Sequence, residues 1–220
     1  MRETFPCPTC RASLRYRHQA EVLLAHYSTR GSASVEELCR EPRFAFAAIF
    51  EPGIVGPFRT RLSSLPGYVC SGYWADVTPG DSRDGVRCED LEALSFGDQT
   101  LDLILSSDIV EHVRHPDRAF AESFRVLRPG GAHIFTVPFL FPLVELTEPR
   151  VDVSGADDVH LAEPVHHRNP LDPDGALVYN DFGLDLVGRL EAAGFDVRLP
   201  RGLHHTLTVV ATRPGRRHGG

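Results

Sequence analysis

Lysine is missing altogether: all 23 basic residues of this 220-residue chain are arginine. No ε-amino group is therefore available as a general base or a Schiff-base former. An all-arginine set of cations is the usage expected of a GC-rich bacterial genome. Basic residues are also outnumbered. Thirty acidic residues leave a formal net charge of −7, which argues against a broad nucleic-acid surface, although a local basic patch stays open. No apolar run approaches the roughly 18 residues of a membrane helix. The opening Met1-Arg-Glu-Thr-Phe-Pro-Cys7 lacks the apolar stretch of a signal peptide. A cytoplasmic protein with neither a nucleic-acid nor a membrane partner is expected. Cysteine is scarce and odd in number, five in all, with one close pair, so a disulfide framework is not expected.

What is present suits one α/β domain with additions. The composition, 42% hydrophobic and 24% charged, is that of an ordinary globular protein, and the length allows a sizeable core. Apolar periodicity predicts a helix from Leu14 to about Tyr27 and a short one over Val35–Cys39. Phe46–Phe50 reads as a buried strand ending at Glu51. A tight turn through Pro52, Gly53, Gly56 and Pro57 follows, then a helix from Arg59 to Leu65 and a strand at Tyr68–Ser71. Residues 74–85 read as loop. Leu101–Ser106 is the clearest buried strand. Pro116–Leu127 is helical with proline in its first turn, and Ala132–Val137 is the next strand. Asp181–Ala193 reads as an amphipathic helix stopped by Gly194, with strands at Phe195–Leu199 and Thr206–Ala211. The expected organisation is an N-terminal Cys-containing helical extension over 1–40, a domain over 41–212 with an insertion at about 138–176, and a disordered tail over 213–220.

The most informative stretch runs from Asp90 to Phe139. It reads Asp90-Leu-Glu-Ala-Leu-Ser-Phe96, Leu101-Asp-Leu-Ile-Leu-Ser-Ser-Asp108, Glu111-His112-Val113, Arg125-Val-Leu-Arg-Pro-Gly-Gly131 and His133-Ile-Phe-Thr-Val-Pro-Phe139. Acidic or small polar residues sit where strands end, and open α/β sheets bind ligands there. This order of motifs resembles the class I S-adenosylmethionine-dependent methyltransferases. The resemblance is dense over about 50 residues and extends more weakly over about 160. It implies a Rossmann-like, doubly wound, mostly parallel seven-stranded sheet with helices on both faces and an antiparallel strand near the C-terminus.

It also implies site roles. Glu51 and Gly53 occupy the acid and first glycine of the loop that holds the cofactor's methionine moiety. Val55 and Pro57 stand where the pattern has two further glycines, and Gly56 is one place out of register. The acid expected at the end of the second strand, which would grip the ribose hydroxyls, falls at Gly72; Asp76 is a substitute or a solvated loop acid. Asp90 and the amide of Leu91 correspond to the adenine contacts. Ser107 and Asp108 should face the same crevice as Glu51. His112 is either a base or part of a packed loop.

The insertion carries His160, His166 and His167 near Asp157, Asp158 and Glu163. It reads as a polar surface loop, as a cover bringing His166 or His167 to the acceptor as base, or as a divalent-metal site. Cys7-Pro-Thr-Cys10 resembles one knuckle of a zinc ribbon whose second pair is missing, so it reads as a relic or as half of a zinc site. The function expected is methyl transfer from S-adenosylmethionine to a small-molecule acceptor, in secondary-metabolite or sugar biosynthesis, by a monomer or homodimer. The alternatives are a non-catalytic binding or interaction protein with a decayed cofactor site, and a metal-linked interaction protein using Cys7 and Cys10.

Overall fold

The computed structural model describes residues 6–215. Its centre is an eight-stranded sheet. Six strands carry labels: β1 (Ile49–Pro52), β2 (Tyr68–Gly72), β3 (Ser82–Arg83), β4 (Val86–Cys88), β5 (Leu101–Ser107) and β6 (Leu127–Thr136). Two further strands, Asp196–Arg198 and Val209–Thr212, complete the sheet beyond β6. The spatial order is 196–198, 209–212, β6, β5, β1, β2, β4, β3. Pairings β6–β5, β5–β1, β1–β2 and β2–β4 are parallel, whereas 209–212 runs antiparallel to β6.

The sheet has one strand more than the seven expected. The extra strand is β3, antiparallel to β4, inside the stretch 74–85 that reads as loop. Its cause is local: Asp84 and Gly85 both take positive φ, 51° and 76°, as a two-residue hairpin requires, and Asp-Gly is a favoured pair there.

Side chains alternate across the sheet with the strand period of two. Phe50, Ile104 and Phe135 enter one core with Phe120, Leu186 and Leu190. Ile49, Leu103, Leu105 and Ile134 enter the other with Leu23, Phe44 and Phe58. The first face carries α5 (Pro116–Val126) and α6 (Leu186–Ala192); the second carries α1 (Leu14–Tyr27), α2 (Val35–Leu38), α3 (Pro42–Ala45) and α4 (Pro57–Leu62). Helices thus cover both faces.

Several boundaries differ from the sequence reading. The first strand starts at Ile49, not Phe46, because Pro42 opens a helical turn and Phe46 is left 79% exposed. The helix after the glycine turn is Pro57–Leu62, with proline in its first turn. Helix α6 starts at Leu186, because Asp181 pairs as strand with Glu148. The segment 138–176 is not irregular: it forms ladders of 151–152 with 159–160 and of His166–Asn169 with Asp172–Leu177. Residues 216–220 of the expected tail lie outside the described residues. Arg213, at its start, donates to the carbonyl oxygens of Phe124 and Leu127 at 2.7 and 2.9 Å.

Candidate active site

Strands β1, β2, β4 and β5 run parallel and end at one edge. From β1 the chain goes to β2 on one side, and β5 lies on the other. Such a reversal of strand order opens a crevice at the carboxyl ends. A crevice of about 1280 Å³ lies there, lined among others by Glu51, Gly53, Gly72, Asp90, Ser107 and Asp108. Leu91, Asp76, His112, His166 and His167 also line it; Gly56 does not.

Glu51 is 5% exposed, and its Oε2 accepts from the Tyr68 hydroxyl at 2.7 Å. Burial raises its pKa from 4.5 to about 7, against the opposing pull of Tyr68 and Arg59. A buried carboxyl this close to neutrality responds to a cation placed beside it. Gly53 has φ of 116°, a conformation that suits glycine. A Cβ built there would meet only Ile109, at 3.8 Å, so ligand can approach this backbone closely. Gly56 instead faces Tyr16, whose hydroxyl would lie 3.3 Å from an added Cβ, and Glu51. Its expected cofactor contact is therefore replaced by packing against α1.

The Asp90–Phe96 loop is clamped by the later motif. Arg125 donates to the carbonyl oxygens of Leu94 and Phe96 at 2.8 and 2.9 Å and to Glu122. Glu122 in turn accepts from the Leu94 amide at 2.9 Å. Phe96 packs against Phe50 of β1 with the rings tilted at 54° and their centroids 4.9 Å apart. Two motifs 30 residues apart thus build one rigid wall. Within it Asp90 Oδ1 accepts from the Glu92 amide at 2.8 Å, and burial raises the Asp90 pKa.

Ser107 and Asp108 are held by α1, a partnership sequence reasoning missed. Gln19, fully buried, donates to Ser106 O at 2.8 Å and accepts from Ser107 Oγ at 2.6 Å. Arg15 approaches Asp108 at 3.2 Å, and Thr136 donates to Asp108 at 2.9 Å. The segment read as an extension thus forms a wall of the crevice.

The ribose position departs from the pattern. A Cβ on Gly72 would lie 2.5 Å from Leu171 Cδ1 and 2.8 Å from the Trp74 ring. Leu171, in the turn of the 166–177 hairpin, fills the place of an acid. Asp76 sits at the rim with its side chain 74% exposed and paired to Arg83 at 2.6 Å. The crevice therefore offers no inward carboxylate at Gly72, where the motif pattern would place one.

The histidines divide. His112 Nδ1 lies 2.8 Å from Leu177 O; a carbonyl only accepts, so Nδ1 carries the proton. His112 Nε2 and His167 Nδ1 are 3.2 Å apart. His166 is exposed on the same hairpin. The insertion's acids do not join them: Asp158 pairs with Arg114 at 2.7 Å. Among the described residues Cys7 and Cys10 gather no third metal-ligating side chain.

Comparison with known proteins agrees with this architecture. Residues 75–135 match the methyltransferase domain family. An uncharacterised methyltransferase of Mycobacterium avium is 40% identical over 60 residues, which are 27% of this chain and 23% of that protein. A probable S-adenosylmethionine-dependent methyltransferase of Mycolicibacterium smegmatis is 28% identical over 63% of this chain and 44% of its own length. The chain thus spans less than half the length of these relatives. One chain of the Haloferax volcanii complex between the Trm112 methyltransferase activator and its candidate methyltransferase superposes with a TM-score of 0.52 at 14% identity, covering 93% of this chain and 92% of that one. Motif, family and architecture agree: the chain carries the class I methyltransferase fold. No helix among the described residues is long and apolar enough to cross a membrane.

Proposed function

We propose that the protein is a methyltransferase that uses S-adenosylmethionine to modify a small molecule. The observation that carries this is the convergence of Glu51–Gly53, Asp90–Leu91 and Ser107–Asp108 on one crevice at the switch point of the sheet. The cofactor supplies a methyl group on a cationic sulfonium, open to in-line attack. The chain's own residues supply placement. Glu51 and the Gly53 backbone hold the amino-acid end, and Asp90 with the Leu91 amide holds the adenine. The 166–177 hairpin covers the acceptor and excludes water. His112, His166 and His167 sit on the acceptor side, where an imidazole can take a proton from a hydroxyl or amine near neutral pH.

A second reading has one observation in its favour. Leu171 over Gly72 closes the position where a ribose acid would act, as a binding protein with a decayed cofactor site would show. Hydrogen exchange separates the two. With S-adenosylhomocysteine bound, amides at 51–53, 90–91, 107–108 and 166–177 should gain protection. Unchanged exchange at all four stretches, at millimolar ligand, would leave the non-catalytic reading.

A further inference from the structure

Glu111 is an anomalous buried side chain next to His112, which lines the crevice. It is fully buried, yet neither carboxylate oxygen has a hydrogen-bond partner. An unpaired buried carboxylate is costly, and such groups are normally hydrogen-bonded, paired or bound to metal. What faces it is two imidazoles: Oε1 lies 3.5 Å from His167 Nδ1 and 3.7 Å from His112 Nε2. These two nitrogens are 3.2 Å apart. The three atoms form a nearly equilateral triangle. A point equidistant from them lies about 2.0 Å from each, close to the ~2.0–2.2 Å of nitrogen and oxygen ligands to zinc.

We propose that Glu111, His112 and His167 form a site for a divalent first-row transition ion. The donor set selects the class: two imidazoles with one carboxylate suit manganese, iron, cobalt or zinc, whereas magnesium and calcium prefer all-oxygen shells. The surroundings are those of a ligand set. The His112 Nδ1–H donates to Leu177 O at 2.8 Å, the bond that orients metal-bound imidazoles and leaves the other nitrogen's lone pair available. The Glu111 carbonyl accepts from the Tyr179 amide at 2.8 Å, so the ligand-bearing turn is pinned to the strand end after the hairpin. Asp108 lies nearby but is engaged by Arg15 and Thr136. The two histidines line the crevice, so the remaining coordination positions face the acceptor.

Resting on the methyltransferase reading, this assigns the acceptor's chemistry. A hydroxyl or enol oxygen bound to the ion would be held beside the cofactor, and its proton would leave more easily on the metal. The site would then favour oxygen acceptors over carbon or amine ones, and His166 would remain as the nearby imidazole outside the ligand set.

The test is a titration of chelator-treated protein with Co²⁺ and separately with Mn²⁺, read by visible absorption and electron paramagnetic resonance. One ion per chain should bind, and Mg²⁺ should compete poorly. His167→Ala and Glu111→Gln should each weaken binding roughly a hundredfold or more. His167 is on the surface hairpin, so that variant folds even if the buried change does not. The Cys7→Ser/Cys10→Ser double variant should bind like the wild type, with no sulfur-to-cobalt charge-transfer band in either. Absence of a stoichiometric ion in the wild type, or unchanged affinity in His167→Ala, overturns the proposal. Binding of S-adenosylhomocysteine in chelator is measured separately: its loss removes the methyltransferase reading and leaves the metal site standing.

Discussion

Leu171 occupies the space that a side chain on Gly72 would need, with its Cδ1 2.5 Å from where that Cβ would sit. The contact joins residues nearly 100 positions apart, and under the proposed function it blocks the place where an acid would reach the ribose. Gly72→Glu alone should not tighten cofactor binding, because the new carboxylate is displaced by Leu171 and Trp74. Leu171→Ala should open the position. The double variant should then gain a charge-assisted hydrogen bond worth roughly 1.5–3 kcal/mol, a tenfold to hundredfold tighter dissociation constant for S-adenosylhomocysteine than Leu171→Ala. Equal affinity in all three variants would show that the ribose does not lie there.

Glu51 makes stability depend on pH. Its folded pKa of about 7 stands above the ordinary 4.5. Between these values the folded state holds more protons than the unfolded one, so stability falls as pH rises. The penalty is absent below about pH 4.5 and complete above about pH 7, with an upper size of roughly 3 kcal/mol. Glu51→Gln keeps a partner for Tyr68 and removes the titration. Denaturant midpoints of the wild type should decline from pH 5 to 7 relative to the variant, then run parallel. A constant difference across that range would mean Glu51 is not buried as described.

Gln19 ties α1 to the end of β5 through Ser106 O and Ser107 Oγ. Gln19→Ala leaves Ser106 O dependent on weaker partners and opens a void. A loss of roughly 2–3 kcal/mol follows from the unmet polar groups, read as a lower urea midpoint with an unchanged slope. A loss under 0.5 kcal/mol would show that α1 is only loosely attached.

The parts of this fold that can be read in the sequence are those whose cause is local. Leu101–Ser106 carries the apolar run Leu103-Ile-Leu105, buried on both faces of the sheet, and reads as a strand. Pro116 and the spacing of Ala119, Phe120, Ser123 and Val126 announce α5. Asp90 and Phe96 show themselves at a fixed spacing because one loop, clamped by Arg125, holds both. Other features escape because their partners are distant or polar. The Tyr68–Glu51 bond, Gln19 beneath Ser107 and Leu171 over Gly72 leave no periodic trace. The ladders of the insertion are short, largely polar strands, with no apolar alternation to betray them. The hairpin at Asp84-Gly85 is hidden in a stretch that reads as loop, because its two-residue arms are too short to show a pattern. Glu111 and His112 are adjacent in sequence, whereas His167 reaches them only through the hairpin.

Cofactor binding at the adenine end tests the account most directly. Asp90→Asn keeps the side-chain oxygen that accepts from the Glu92 amide at 2.8 Å and so preserves the turn, while removing the negative charge offered to an adenine amino group. Calorimetric titration with S-adenosylhomocysteine should give one site per chain for the wild type. The variant should bind tenfold to a hundredfold more weakly, the loss of roughly 1.5–3 kcal/mol expected of one charge-assisted bond, with its melting temperature unchanged. No heat of binding in the wild type, or equal affinity in Asp90→Asn, would contradict the assignment of this crevice to S-adenosylmethionine.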